Sequence, residues 1–255
     1  MASFTKKSLS ASTLITLLLS ANVMAKTPVS EQLKPVQFNA DIQWQQFYLP
    51  VVTLTNTSSE QLSQWSDLTT ELVQQVSYNV ARLLYKYQAN APALPTLAIS
   101  LEDMDGVAFK EGDFSGAKIH ISAQYLKKYQ ADHGKRAMAD ELIGVLYHEI
   151  AHAYQLDDAN YKNIGPLIEG IADVVRIKAG YVDMSQRKIG GNYNDGYKTT
   201  AFFIHWLEKN KHHDLLIKLN AQLDPNDGKT WQWQNFESNL NINLVREWNN
   251  YQTLL

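Results

Sequence analysis

Not one of the 255 residues is cysteine. That excludes disulfide bridges, a lipid attached through cysteine and a cysteine nucleophile. An excess of positive charge is also missing: 23 Lys and Arg stand against 26 Asp and Glu, a net charge of −3, and no basic stripe marks a nucleic-acid partner. Beyond the first 25 residues no apolar run is long enough to cross a bilayer. There is no G-x-S-x-G nucleophile elbow, no internal repeat and no low-complexity segment. What remains is 45% hydrophobic and 19% charged, ordinary for a globular protein. The length suits one domain with its own core.

The first 25 residues read as an export signal. Lys6 and Lys7 form a charged start, Leu9 to Ala21 is mostly apolar, and Val23-Met24-Ala25 offers a small-residue cleavage site. The apolar run is short and broken by Ser and Thr, which argues against a retained anchor. Cleavage would leave a single domain over 26–255, beginning at Lys26; losing Lys6 and Lys7 takes the net charge from −3 to −5. A cysteine-free exported chain points to a bacterial source and to the periplasm or the medium, with no membrane contact in the mature form.

Two segments carry chemistry. Val145 to Ala153 reads V-L-Y-H-E-I-A-H-A, containing H-E-x-x-H, and E-G-I-A-D spans Glu169 to Asp173, starting 17 residues beyond His152. A helix turns about 100° per residue, so His148 and His152 share one face and can bind one metal ion. Glu149 points beside that face, where it can reach a water on the metal and act as general base. Leu142, Ile143, Val145, Leu146, Ile150 and Ala153 make this helix apolar on most sides, so the two histidines and the glutamate need partners that one zinc ion would supply. A catalytic zinc site takes three protein ligands, and Glu169 is the candidate third. Asp173 follows at i+4, placed to hold the outer nitrogen of a zinc histidine.

Around these motifs, Gln46–Thr55 reads as a strand, and Thr57 to Glu60 as the start of a helix running to about Gln88. Pro92 and Pro95 end that helix. Leu97–Leu101, Val107–Phe109 and Lys118–Ser122 read as short strands, and the chain is largely helical from Lys135. A Gly- and Asn-rich loop, Gly190 to Gly196, precedes a helix near Tyr197 to Lys209 and could line a cleft. Trp231, Trp233, Phe236, Leu240, Leu244 and Trp248 read as core. The fold class expected is α+β, a small mixed sheet followed by a mainly helical C-terminal part.

The E-x-x-x-D helix after H-E-x-x-H resembles the thermolysin-like, or gluzincin, zinc metallopeptidases. More specifically, V-L-Y-H-E-I-A-H-A-Y-Q (Val145–Gln155) and G-P-L-I-E-G-I-A-D-V-V-R-I-K-A-G-Y (Gly165–Tyr181) resemble the plant basic secretory protein family of peptidases. G-V-A-F, K-I-H-I-S-A-Q-Y-L and G-Y-K-T-T-A-F-F fit the same family, and the similarity covers roughly residues 60 to 252. The resemblance implies one zincin-like domain with H-E-x-x-H as its metal site, in secreted proteins associated in plants with defence. This chain is acidic, unlike the family's name. In zincins the strand before the active-site helix lies at the sheet edge and pairs with substrate; here that implies Lys118, Ile119, His120, Ile121 and Ser122. His120 itself reads as structural or exposed. Related enzymes stabilise the oxyanion with Tyr or His, which makes Tyr197 the first candidate, Tyr193 the second and His205 the third. Tyr147 and Tyr154, flanking the zinc motif, read as packing residues.

The function expected is a secreted zinc endopeptidase acting on polypeptides. An aminopeptidase would need an acidic anchor for the substrate amine, which the sequence does not reveal. The competing classes are a non-catalytic zinc-stabilised binding or defence protein of the cell envelope, and a glycan-binding module built on the tryptophans. Residues 26–45 could occupy the cleft.

Overall fold

The computed structural model describes residues 33–38 and 44–255. The export signal expected over 1–25 lies outside the described residues.

The architecture is α+β: a four-stranded open sheet and, among the described residues, nine α-helices. The strands are β1 (Val51–Asn56), β2 (Thr96–Glu102), β3 (Ala108–Asp113) and β4 (Gly116–Ser122), in the order β1-β2-β4-β3. β1, β2 and β4 run parallel, and β3 returns antiparallel on β4. The period-two pattern sets the core face. Leu97, Ile99 and Leu101 of β2 and Ile119 and Ile121 of β4 are fully buried, each worth about 1.5–3 kcal/mol of hydrophobic stabilisation. Their neighbours Lys118 and His120 face the other side of the sheet.

The sequence suggested one helix from about residue 57 to 88. The chain instead forms α1 (Ser63–Ser66) and α2 (Thr70–Leu84). The break is a capping choice: the Thr69 hydroxyl accepts from the backbone N–H of Leu72 at 3.1 Å and starts a new helix. Leu72, Val73, Val76, Val80 and Leu84 then bury one stripe of α2.

After β4, Ser122 caps α3 (Ala123–His133) by accepting from Tyr125 N. α4 (Lys135–Tyr154) follows and carries H-E-x-x-H in its last two turns. The Asn79 side chain donates to Tyr147 Oη at 2.9 Å, and Tyr85 Oη donates to the Tyr154 carbonyl at 2.6 Å, tying α4 to α2 and its C-cap. α5 (Tyr161–Lys178) packs against α4 and against α6 (Tyr197–Asn210). α7 (Leu215–Ala221), α8 (Trp233–Leu240) and α9 (Leu244–Gln252) close the C-terminal part. Trp231, Phe236, Leu244 and Trp248 are buried there, as core. Of the six tryptophans, Trp44, Trp65, Trp231 and Trp248 are buried and Trp206 and Trp233 are partly buried.

The register of α5 on α6 positions the site, and two glycines permit it. A Cβ on Gly170 would lie 2.5 Å from Thr200 Cγ2. Thr200 cannot easily turn away, because its hydroxyl accepts from Gly196 N and donates to the Tyr193 carbonyl, both at 2.8 Å. Gly196 has φ +85° and approaches the Pro166 backbone, where a Cβ would stand 3.1 Å from Pro166 Cα. Gly170→Ala should therefore destabilise by about 1–2 kcal/mol: overpacking outweighs the helix propensity that alanine gains. Urea unfolding measures this, and a variant as stable as the parent would mean that α5 and α6 part freely.

One expectation is corrected here. Lys118–Ser122 is not an edge strand: β4 is hydrogen-bonded to β2 on one side and β3 on the other. Its backbone groups are spent within the sheet and cannot pair with substrate. The edges belong to β1 and β3, and β3 folds back through a turn where Asp113 accepts from Ser115 N at 2.8 Å. Its polar sequence, F-K-E-G-D, hid most of that strand from a search for apolar alternation.

Candidate metal centre

α4 and α5 present their functional side chains to one another across a cleft of about 1090 Å³. His148 and His152, one turn apart on α4, meet Glu169 of α5. The two Nε2 atoms are 3.1 Å apart; Glu169 Oε2 lies 3.1 Å from that of His148 and 3.5 Å from that of His152. A tetrahedral ion with bonds of about 2.0–2.1 Å spaces its donors about 3.3–3.4 Å apart. The three donors thus converge at the spacing such an ion requires, and the group can hold a metal ion.

The electrostatics match. Burial alone would push His148 down, but hydrogen bonds to Asp173 and Glu169 outweigh it and lift the imidazole to about 9. Burial would raise Glu169, yet hydrogen bonds from His148, His152 and Tyr161 hold it well below the usual carboxylate range. Its carboxylate is charged at any ordinary pH, as a ligand must be.

Asp173 is buried, one turn along α5 from Glu169, and its Oδ1 lies 2.9 Å from His148 Nδ1. That contact aims Nε2 at the common point. Asp173→Asn keeps the shape and removes the charge, so metal affinity should fall about 10- to 100-fold, read by chelator competition. Unchanged affinity would leave Asp173 as a packing residue only.

Glu149 is 6% exposed and lines the cleft, and its Oε2 has no hydrogen-bond partner. Burial pushes its carboxyl up, the nearby histidines pull it down, and Glu169 and Asp173 raise it further. A buried, unpaired carboxylate oxygen costs free energy to maintain.

Of the three candidate oxyanion donors, only Tyr197 lines the cleft, its ring parallel to His148 with centroids 6.3 Å apart. It opens α6 with φ +43°, a left-handed conformation costly for a non-glycine residue. Tyr193 packs instead against Trp233 and Phe203. His205 is outside the cleft lining; burial pushes its imidazole down to about 4. Tyr161 is the residue that sequence reasoning missed. It opens α5 and donates its hydroxyl to Glu169 Oε1 at 2.7 Å. The signal available was a tyrosine about two turns upstream of the third ligand on the same helix. Burial raises both phenols, Tyr161 and Tyr197, with Glu169 adding to the effect, so both stay protonated donors.

His120 stands apart from the metal group. Its ring nitrogens lie 2.8 Å from Glu102 and 3.1 Å from Glu111, and it stacks on Phe109. Tyr147 and Tyr154 are fully buried packing residues. The described part of the segment 26–45 lies outside the cleft: Lys34 bonds to Tyr181 and Gly180, and Trp44 packs on Phe47 and Tyr78.

The fold and site together define an α+β protein with a His-His-Glu group that can hold a metal ion between two packed helices. The chain belongs to the family described as peptidase of plants and bacteria, whose model matches residues 53–244 and so covers both helices of the site. No curated protein and no solved structure matches the chain. Among the described residues no helix is long and apolar enough to cross a membrane.

Proposed function

We propose that this protein is an exported zinc endopeptidase. The observation that carries the reading is the convergence of His148, His152 and Glu169 at tetrahedral spacing with the unpartnered Glu149 oxygen beside them. Two imidazoles and one carboxylate suit zinc, and three protein ligands leave a position open, as catalytic sites do. A zinc ion held there supplies Lewis acidity, polarising a carbonyl and lowering the pKa of water to about 7.

The chain's own residues perform the rest. Asp173 fixes His148, and Tyr161 fixes Glu169. Glu149 takes the proton of the attacking water and delivers it to the leaving amine, a task suited to a carboxylate raised by burial. Tyr197 is the donor proposed for the oxyanion; the Tyr161 hydroxyl is committed to Glu169. The substrate strand pairs with β3: Ala108, Lys110, Gly112 and Asp113 of that strand line the cleft, and its outer edge is free within the sheet. Pairing of this kind reads backbone and needs little side-chain selectivity. Export is supported by the charged start and apolar run of the first 25 residues.

The test is incubation of zinc-loaded protein with unfolded casein, alongside Glu149→Gln. Cleavage by the parent alone supports the reading. Equal cleavage by both removes Glu149 from the mechanism. No cleavage of any polypeptide, with structure lost on chelation, favours the zinc-stabilised binding protein.

A further inference from the structure

We propose that Gln155 is a positioning residue for His152, with a side-chain amide that turns over to fix which ring nitrogen is free to bind metal. This rests on the metal reading above. Gln155 caps α4 three residues beyond His152, is 5% exposed and lines the cleft. Its amide nitrogen lies 2.9 Å from His152 Nδ1 and 3.4 Å from the Ile168 carbonyl, while its buried oxygen has no partner.

That arrangement has a consequence for the imidazole. An amide N–H donates, so the facing Nδ1 must accept and the ring proton must sit on Nε2. Yet Nε2 is the atom aimed at His148 and Glu169. A metal there needs a bare Nε2, hence a proton on Nδ1 and an acceptor opposite it. Asp173 is that acceptor for His148. For His152, Gln155 is the side chain in reach of Nδ1.

Turning the amide about its last bond supplies the acceptor. The two ends of an amide have nearly the same shape, and the hydrogen-bond network decides which faces the ring. The turn gives the orphaned oxygen the Nδ1–H as its partner; it also replaces the long N–H contact to the Ile168 carbonyl with an oxygen and moves the amide nitrogen to the place where the oxygen had no partner. The anchorage on either side stays fixed: Gln155 N donates to the Ala151 carbonyl at 2.7 Å, and Leu156 N donates to Asn220 Oδ1 at 3.0 Å. One histidine is thus oriented by a carboxylate and the other by an amide.

The test uses the full chain and zinc alone. Chelator competition should show Gln155→Leu binding about 10- to 100-fold more weakly than the parent, while Gln155→Glu, which keeps an acceptor at that place, binds at least as tightly. Nitrogen NMR of the zinc-loaded parent should place the His152 proton on Nδ1, a readout that mere packing would not move. Leucine and parent binding equally, the glutamate variant failing to restore affinity, or metal on Nδ1 would each overturn the proposal. A parent that takes up no zinc overturns the metal reading and this with it; a parent that binds while Gln155→Leu binds equally overturns this alone. Should Gln155→Leu fail to fold, the glutamate variant and the NMR assignment still decide.

Discussion

Glu149→Gln is expected to take up zinc as the parent does and to hydrolyse peptides about 10²- to 10⁴-fold more slowly, the usual share of a general base. The substitution is nearly isosteric, and Glu149 is not among the three metal donors. What it removes is basicity at one buried oxygen that has no partner. Glutamine cannot take a proton, and its amide adds N–H donors where an acceptor is needed. Stability should change little or rise. Loss of the charge relieves a desolvated carboxylate that already sits near Glu169 and Asp173. Measured together, kcat, the zinc dissociation constant and the thermal midpoint separate a catalytic base from a structural acid. A variant that cleaves within about threefold of the parent removes Glu149 from the chemistry; one that loses zinc would make it a ligand.

The site was more legible in the sequence than the sheet, for physical reasons. His148, Glu149 and His152 lie within five residues on one helix, and helical periodicity alone places them. Glu169 and Asp173 lie on another helix at i and i+4, so their shared face follows from the same rule. Joining the two helices required a resemblance to known metallopeptidases, since nothing local in either segment says that α4 and α5 pack together. Sheet order is a different kind of fact. Lys118–Ser122 has the alternation of a strand, but alternation reports faces and not neighbours. It took the return of β3 onto β4 to show that β4 is not an edge. Tyr161, Gln155 and the capping of α2 by Thr69 escaped for a third reason. Each acts through one hydrogen bond that depends on where a side chain's end falls, and such ends have no period.

Glu169→Ala is expected to cost zinc affinity about 10²-fold or more. Structural zinc sites gain about 10–16 kcal/mol, so one ligand in four accounts for about 3 kcal/mol, or two decades. Removal also changes the site's proton traffic. In the parent, His148 is lifted to about 9 by contacts that include Glu169. At pH 7 that imidazole is protonated, and a metal must displace the proton to bind. Parent affinity should therefore climb as pH rises and level off near 9. Without Glu169 the imidazole loses one of its two carboxylate partners and its pKa falls, so the climb should finish at lower pH even though the plateau is weaker. The fold should survive, because Ile168, Ile171 and Val175 bury the packed face of α5 while Glu169 meets the two histidines and Tyr161. Titration of zinc from pH 6 to 10 on both proteins, with circular dichroism as the folding control, reads plateau and midpoint together. If the variant keeps both, the third ligand lies elsewhere, and Asp157, which also lines the cleft, is the acid to remove next.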